Sequence, residues 1–331
     1  AGLTKATVAD TLCDTEVEAP LKAQPVDPPT LSMTFAVNDS PLAGTEGSKV
    51  TSRMIRDRLF AEAEGNVALR VTESENKDAF DVAGRGELQL GVLIEQMRRE
   101  GFELSISRPR VVMQEQDGQK MEPMEEVTID VDEEFSGIVV EALNLRKGQM
   151  REMKPSGAGK TRLVFHVPAR GMIGYLGEFL TETRGTGIMA RTFHSYTPYQ
   201  GKLPGRRNGV MISNATGVTV SYALLNLEGR GPLFIGSCVK TYEGMIIGEH
   251  SRPGDLDVNP MKAKQLTNVR ASGTDDAVRL TPPRRMSLEQ AIAYIQDDEL
   301  VEVTPENVRL RKRWLDQNER KKQARKAEAE G

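Results

Sequence analysis

The run GRGELQLGVLIEQMRREGFELSISRPRVV, residues 84–112, decides the fold. Leu90, Leu93, Ile94 and Met97 recur at i, i+3, i+4 and i+7, which lines one face of a helix, and Gly101 stands where such a helix ends. From Phe102 the period changes from helical to alternating, so a helix over 87–100 runs straight into a strand over 102–112. Upstream, the same reading gives a strand over 31–37, a helix over 48–64 and strands over 66–73 and 79–83. The order is βαββαβ. It packs both helices on one face of a four-stranded antiparallel sheet, the ferredoxin-like arrangement.

Downstream the order repeats: a strand over 126–131, a helix over 135–146 ended by Gly148, strands over 149–153 and 161–167, a helix over 173–183 ended by Gly185, and a strand over 188–196. The two units share little sequence, so this is a repeat of element order. Residues 1–14 alternate like the last strand of a preceding domain, and four prolines in EAPLKAQPVDPPT (18–30) make an extended linker, because proline cannot donate to a ladder. After Gly201 short β-like runs appear at 209–212, 217–224, 232–235 and 245–248, followed by a non-periodic stretch, 251–281. Ser287 and Gln290 form a capping-box pattern at the start of a helix, strands follow at 300–303 and 308–314, and the charged tail after Leu315 reads as frayed helix or disorder. The predicted fold class is α+β. Two tandem ferredoxin-like (split βαβ) domains, 30–113 and 114–200, precede a mostly β C-terminal domain with one helix, 201–331, with 1–29 as a closing barrel strand and linker.

The 331 residues are 38% hydrophobic and 28% charged, an ordinary globular composition, and no apolar run approaches the 18 residues of a membrane span. Two cysteines cannot form a disulfide framework, which fits a reducing cytoplasm, and His166, His194 and His250 lack metal-ligand spacing. A chain beginning at Ala1 rather than Met reads as a piece excised from a longer one. The net charge of -4 conceals an asymmetry: residues 201–285 carry +5, while every other segment is negative.

Several strings resemble catalytic motifs and fail on mechanism. KPSGAGKT (154–161) has Lys154 where a phosphate-binding loop requires glycine, and TRLVFHVPA after it alternates like a strand and cannot supply the helix N-terminus. It reads as a hairpin loop. Asn76-Lys77-Asp78 lacks the spacer of a guanine-reading motif, and Gly84-Arg85-Gly86 lacks the third glycine of a dinucleotide fingerprint. Asp275 and Asp276 sit in a polar loop. No nucleophile-base set assembles, so no catalytic residue, cofactor or metal is expected in this chain. The basic loop differs in kind. Lys262, Lys264 and Arg270 can neutralise phosphates, Gln265 and Asn268 can contact base edges or 2'-hydroxyls, and Arg206, Arg207, Arg284 and Arg285 belong to the same basic segment. Ser272-Gly273 leave the loop supple enough to order on an irregular RNA surface.

The 84–115 run resembles the third domain of translational GTPases of the elongation factor G type. EPMEEVTIDVDEEFSGIVVEALNLRKGQM (122–150) and VPARGMIGYLGEFLTETRGTGIMARTFHSYTPY (167–199) resemble their fifth domain. The two abut at 114–124, which leaves no room for a fourth domain and narrows the likeness to LepA-like and BipA-like factors. NPMKAKQLTNVRASGTDDAVRLTPPRRMSLEQAIAYIQDDELVEVTPENVRLRKRWL (259–315) is similar to the C-terminal domain particular to the BipA/TypA family. The resemblance spans residues 3–315. It implies the C-terminal part of a ribosome-associated GTPase of large-subunit assembly and stress adaptation, with GTP and Mg2+ on an absent G domain. It also implies a cytoplasmic monomer whose partners are the ribosome (50S and 70S), 23S rRNA and the A-site tRNA acceptor end, reached by the loop that holds Lys264, Asn268 and Arg270. The alternative is a protein-interaction or small-molecule-sensing module, since tandem ferredoxin-like units also serve that role.

Overall fold

A computed structural model describes residues 11–17, 19, 21, 29–203, 205–263 and 279–330. The proposed barrel strand before Cys13 falls almost wholly outside them. The first unit comprises β1 (Leu31–Val37), α1 (Ser52–Gly65), β2 (Arg70–Glu73), β3 (Ala79–Gly84), α2 (Glu87–Arg99), β4 (Leu104–Ser107) and the short β5 (Arg110–Val111). Its strands run β4-β1-β3-β2, with β5 continuing alongside β1, so the βαββαβ expectation holds. Gly101 takes φ +91° and ends α2 as predicted: its N–H donates to Arg98 O at 3.1 Å and that of Phe102 to Met97 O at 3.1 Å, the paired bonds of a Schellman cap.

The second unit comprises β6 (Gln114–Gln116), β7 (Gln119–Asp132), α3 (Glu133–Leu145), β8 (Gln149–Gly157), β9 (Lys160–Pro168), a 3-10 turn (Ala169–Met172), α4 (Tyr175–Glu182) and β10 (Ile188–Pro198). Its order, β10-β7-β9-β8, reproduces that of the first unit, and β6 pairs with β7. KPSGAGKT forms the β8–β9 hairpin. Gly157 pairs with Lys160, and Ala158 and Gly159 both have positive φ, the two-residue turn that matches strand twist. Gly185 (φ 77°) is left-handed, as is Arg184 (φ 50°) before it, and its N–H donates to Leu180 O at 2.7 Å where α4 ends; Gly148 does not take the left-handed position expected of it, which Lys147 (φ 62°) occupies one residue earlier. A Cβ on Gly148 would lie 2.8 Å from Leu143 O, so glycine is needed there for close approach.

The C-terminal region comprises β11 (Val210–Ser213), β12 (Gly217–Val218), α5 (Ser221–Glu228), β13 (Lys240–Thr241), β14 (Met245–Glu249), β15 (Leu256–Val258), α6 (Leu288–Tyr294), β16 (Glu299–Val303), β17 (Val308–Lys312) and α7 (Gln317–Glu330). The capping box is present, with Ser287 Oγ accepting from Gln290 N and Gln290 Oε1 from Ser287 N. Three readings are corrected. The run 217–224 is a strand for only two residues, because SYALLNLE is rich in good helix formers and buries Ala223 and Leu224 as α5. Residues 232–235 touch β14 through a single bridge, Leu233 to Gly248. The tail takes the helical of its two readings, tied down by Arg320 to Asp257, and with α5 and α6 it makes three helices among the described residues of the region where one was expected.

The C-terminal region is not a separate layer. β16 pairs antiparallel with β4, giving one ten-stranded sheet in the order β15-β11-β14-β17-β16-β4-β1-β3-β2, with β5 beside β1. Side chains alternate across it. On one face Leu104, Ile106, Val301, Val303 and Leu310 join the core beneath α1, α2 and α6. On the other, Glu302 is fully buried and accepts from Asn38 Nδ2 (3.1 Å), Ser40 Oγ (2.9 Å), Arg309 (3.0 Å) and the Tyr242 hydroxyl (2.5 Å). Neighbouring Glu103 accepts from the N–H groups of Gly44, Glu46 and Gly47. The second unit joins through Arg191, whose guanidinium donates to Glu125 (2.7 Å) and reaches Glu87 (3.4 Å) at the start of α2.

Candidate nucleic-acid interface

The basic segment is built around α5. Ahead of that helix, Val220 N donates to Pro260 O at 3.1 Å; behind it, Thr281 N donates to Glu228 Oε1 at 2.6 Å while Leu280 packs against the core cluster that holds Leu224. Pro260 and Thr281 are therefore held at opposite ends of one eight-residue helix, a span of about 12 Å. Exposed Lys262 and Arg279 mark the two ends, and Lys240 lies on β13 close by. Gly217, which pairs with Thr241 beside Lys240, leaves room for Met261: a Cβ there would lie 2.6 Å from the Met261 sulfur. Exposed Val218 pairs with Lys240, and Tyr222 and Leu225 are exposed on α5.

The sites predicted from sequence divide into three groups. Lys264, Gln265, Asn268 and Arg270 lie outside the described residues. Lys262, Arg207 and Arg285 are exposed, and Arg284 is about half-exposed at 54% while making a long ion pair with Glu249 at 3.4 Å. Arg206 is different, because protein groups already occupy its guanidinium. Its side chain is 13% exposed and makes a two-pronged pair with buried Glu299 at 2.8 and 3.0 Å, donates to Tyr294 O and Asn208 O, and lies over the Tyr294 ring at 4.4 Å. Burial favours the neutral guanidine, but the Glu299 carboxylate outweighs it and holds the Arg206 pKa above its ordinary value. Lys312 joins the same carboxylate at 3.0 Å and also meets Asp298 and Asp255. Arg207, one residue on, lines the rim of the resulting polar cavity of about 200 Å³. No sequence signal separates Arg206 from Arg207, since the partner Glu299 is 93 residues away.

Asn76-Lys77-Asp78 is a turn, with Asn76 O accepting from Ala79 N at 2.9 Å, and Gly84-Arg85-Gly86 leads into α2. Among the described residues one group of chemistry-bearing side chains is brought together that sequence spacing gave no sign of: Glu126, His166 and His194, on the second sheet. No described helix is long and apolar enough to cross a membrane.

Comparison with known proteins matches residues 208–317 to the TypA/BipA C-terminal domain and 119–207 to the elongation factor G C-terminus. A protein of Escherichia coli (strain K12) named large ribosomal subunit assembly factor BipA is 54% identical over 322 residues, 97% of this chain and 53% of its own length. The protein of that name from Bacillus subtilis (strain 168) is 48% identical over all of this chain and 54% of its own. That of Haemophilus influenzae is 53% identical over 97% of this chain and 52% of its own. The chain spans about half the length of the curated relatives it matches. These matches meet end to end at residues 207 and 208, where the second βαββαβ unit gives way to the strands that complete the large sheet, and the chain belongs to the BipA/TypA family.

Proposed function

We propose that this chain is the ribosome-binding part of a large-subunit assembly GTPase. The observation that carries the reading is its near-full-length identity, 48–54%, to proteins named for large ribosomal subunit assembly. The anchoring of the basic segment at both ends of α5, with Lys262, Arg279 and Lys240 exposed around it, supports RNA as the ligand, since cations exposed to solvent are the ones able to neutralise phosphates. The finer reading assigns 23S rRNA and the acceptor end of A-site tRNA to Lys262, Lys264, Gln265, Asn268 and Arg270. Arg207, Arg284 and Arg285 bind flanking phosphates. GTP and Mg2+ belong to the part of the relatives beyond this chain, which itself binds as a monomer, in the cytoplasm, and hydrolyses nothing.

The test is co-sedimentation of the chain with purified 50S and 70S particles at rising salt. Binding to 50S that falls steeply between about 50 and 200 mM salt is expected, because each phosphate neutralised releases counterions. Absence of co-sedimentation at low salt overturns the proposal. A groove of about 370 Å³ between α1 and α2, lined by Leu69, Leu88, Val92 and Leu93 with Glu62 and Gln96, favours the sensing module as a second reading. A small molecule that raises the melting temperature of the chain, with no binding to ribosomes, is the outcome that reading requires.

A further inference from the structure

Glu126, His166 and His194 stand on three adjacent strands, β7, β9 and β10, of the second sheet. Glu126 is in register with His166 on one side and with Thr192 on the other. His194 is the residue passed over where the β7–β10 register shifts between Phe193 and Ser195, so it occupies a bulge and is exposed. The apolar side chains of these strands, Val127, Phe165 and Val167, pack under α3 and α4, which leaves the three polar ones on the open face. One ligand atom from each lies within 4.8 Å of the other two, His166 Nε2 is 3.5 Å from a Glu126 oxygen, and the two imidazole rings are 4.0 Å apart. The histidines are 28 positions apart in the chain, which spoke against a ligand set; cross-strand pairing removes that objection.

We propose that Glu126, His166 and His194 form a binding site for one divalent cation of the zinc class, with a fourth position open to water. Two imidazoles and a carboxylate are the donor set such a cation prefers, and three protein ligands with one open position is its usual arrangement outside structural sites. Tetrahedral coordination at about 2.0–2.1 Å places donor atoms roughly 3.3 Å apart. Rotation of His194, which is exposed, closes the remaining gap without moving the sheet. Its Nδ1 lies 2.8 Å from Ser195 Oγ, a contact that orients the ring and leaves Nε2 for the metal.

Arg151 opposes binding. Its Nε–H donates to His166 Nδ1 at 3.1 Å, which leaves the proton of the neutral ring on Nε2, and it sets a positive charge beside the cation. Binding moves that proton from Nε2 to Nδ1, frees Nε2 for the metal and displaces Arg151. Gln149, in register with His166 and now holding Arg151 at 3.0 Å, offers the carbonyl that accepts the new Nδ1–H.

The test is calorimetric titration of Zn2+ into the full chain carrying Cys13→Ser and Cys238→Ser, because both thiols are exposed and compete for the metal. One-to-one binding is expected. His194→Ala, on an exposed bulge and outside the core, weakens it at least about tenfold, as does Glu126→Gln, and Arg151→Ala tightens it several-fold. Co2+ gives visible absorption bands that His194→Ala abolishes. Absence of a one-to-one event in the parent, or affinity unchanged by His194→Ala, overturns the proposal. Ribosome co-sedimentation is a separate readout, so failure here is distinguishable from failure of the functional reading.

Discussion

Val301 of β16 lies directly opposite Ile106 of β4 in antiparallel register, and both are fully buried. β4 would otherwise be an exposed edge of the first unit, with its N–H and C=O groups unpaired. β16 takes that edge, so a helix-covered core that begins at Leu31 extends without a break to Leu310.

Ile106→Ala therefore destabilises the C-terminal region as well as the first unit, by about 3 kcal/mol, the usual cost of a cavity at such a site. The chain has one tryptophan, Trp314, which lies just past β17 and reports on the far side of the joint. Urea unfolding followed by Trp314 fluorescence is expected to shift to lower urea together with the far-ultraviolet transition. If the Trp314 transition stays where it was, the two regions unfold independently.

Arg206 and Arg207 are expected to separate stability from binding. Arg206→Ala strands the Glu299 carboxylate with Lys312 as its remaining ionic partner and costs about 3 kcal/mol, visible as a lowered melting temperature. Arg207→Ala leaves the melt within about 0.5 kcal/mol of the parent, as surface substitutions do, and weakens 50S binding. Equal melting of the two variants would show that the Arg206 pair contributes nothing.

Alanine at Lys262, Lys264 and Arg270 together should reduce affinity for the 50S particle and flatten its dependence on salt. With one phosphate per cation, the slope of log affinity against log salt falls by about 2 to 3. Filter binding across a salt series measures this. An unchanged slope means the contacts lie elsewhere.

Acid should unfold the chain through the carboxylates of the joint. Burial acts to raise the pKa of Glu103, Glu299 and Glu46, but it is outweighed: by the N–H groups of Gly44, Gly47 and Glu46 at Glu103, by Arg206 and Lys312 at Glu299, and by Thr304, Asn307 and Arg309 at Glu46. All three end below the ordinary glutamate value. The unfolded chain then binds protons more readily than the folded one, so their contribution is complete above about pH 4.3 and is lost as pH falls through the lower folded values. The urea midpoint should hold from pH 7 to about 5.5 and decline below about 4.5. A midpoint that stays flat through that decline would show these carboxylates to be unlinked to folding.

Much of the fold was legible because its signals are local. The stripe Leu90, Leu93, Ile94 and Met97, the cap at Gly101 and the Ser287–Gln290 box each depend on residues within about one or two helical turns, and the structure reproduces them. The run 217–224 misled because Val218, Thr219 and Val220 are β-formers, while the buried Ala223 and Leu224 continue as helix. At the candidate interface, sequence marked where cations are dense but could not tell a paired one from a free one. Arg206 and Arg207 look alike until the chain returns with Glu299.

The sequence by itself determined the two βαββαβ units, the end of α2 at Gly101 and the start of α6 at Ser287, the hairpin nature of GAGKT and the concentration of positive charge after residue 200, all consequences of periodicity and residue chemistry over short spans. Only the tertiary structure decided that β16 completes the first sheet, that Arg206 belongs to the interior, and that Glu126, His166 and His194 meet. These depend on contacts between residues from 28 to nearly 200 positions apart. Alternation shows which side of a strand is buried; it carries no information about which strand lies beside it.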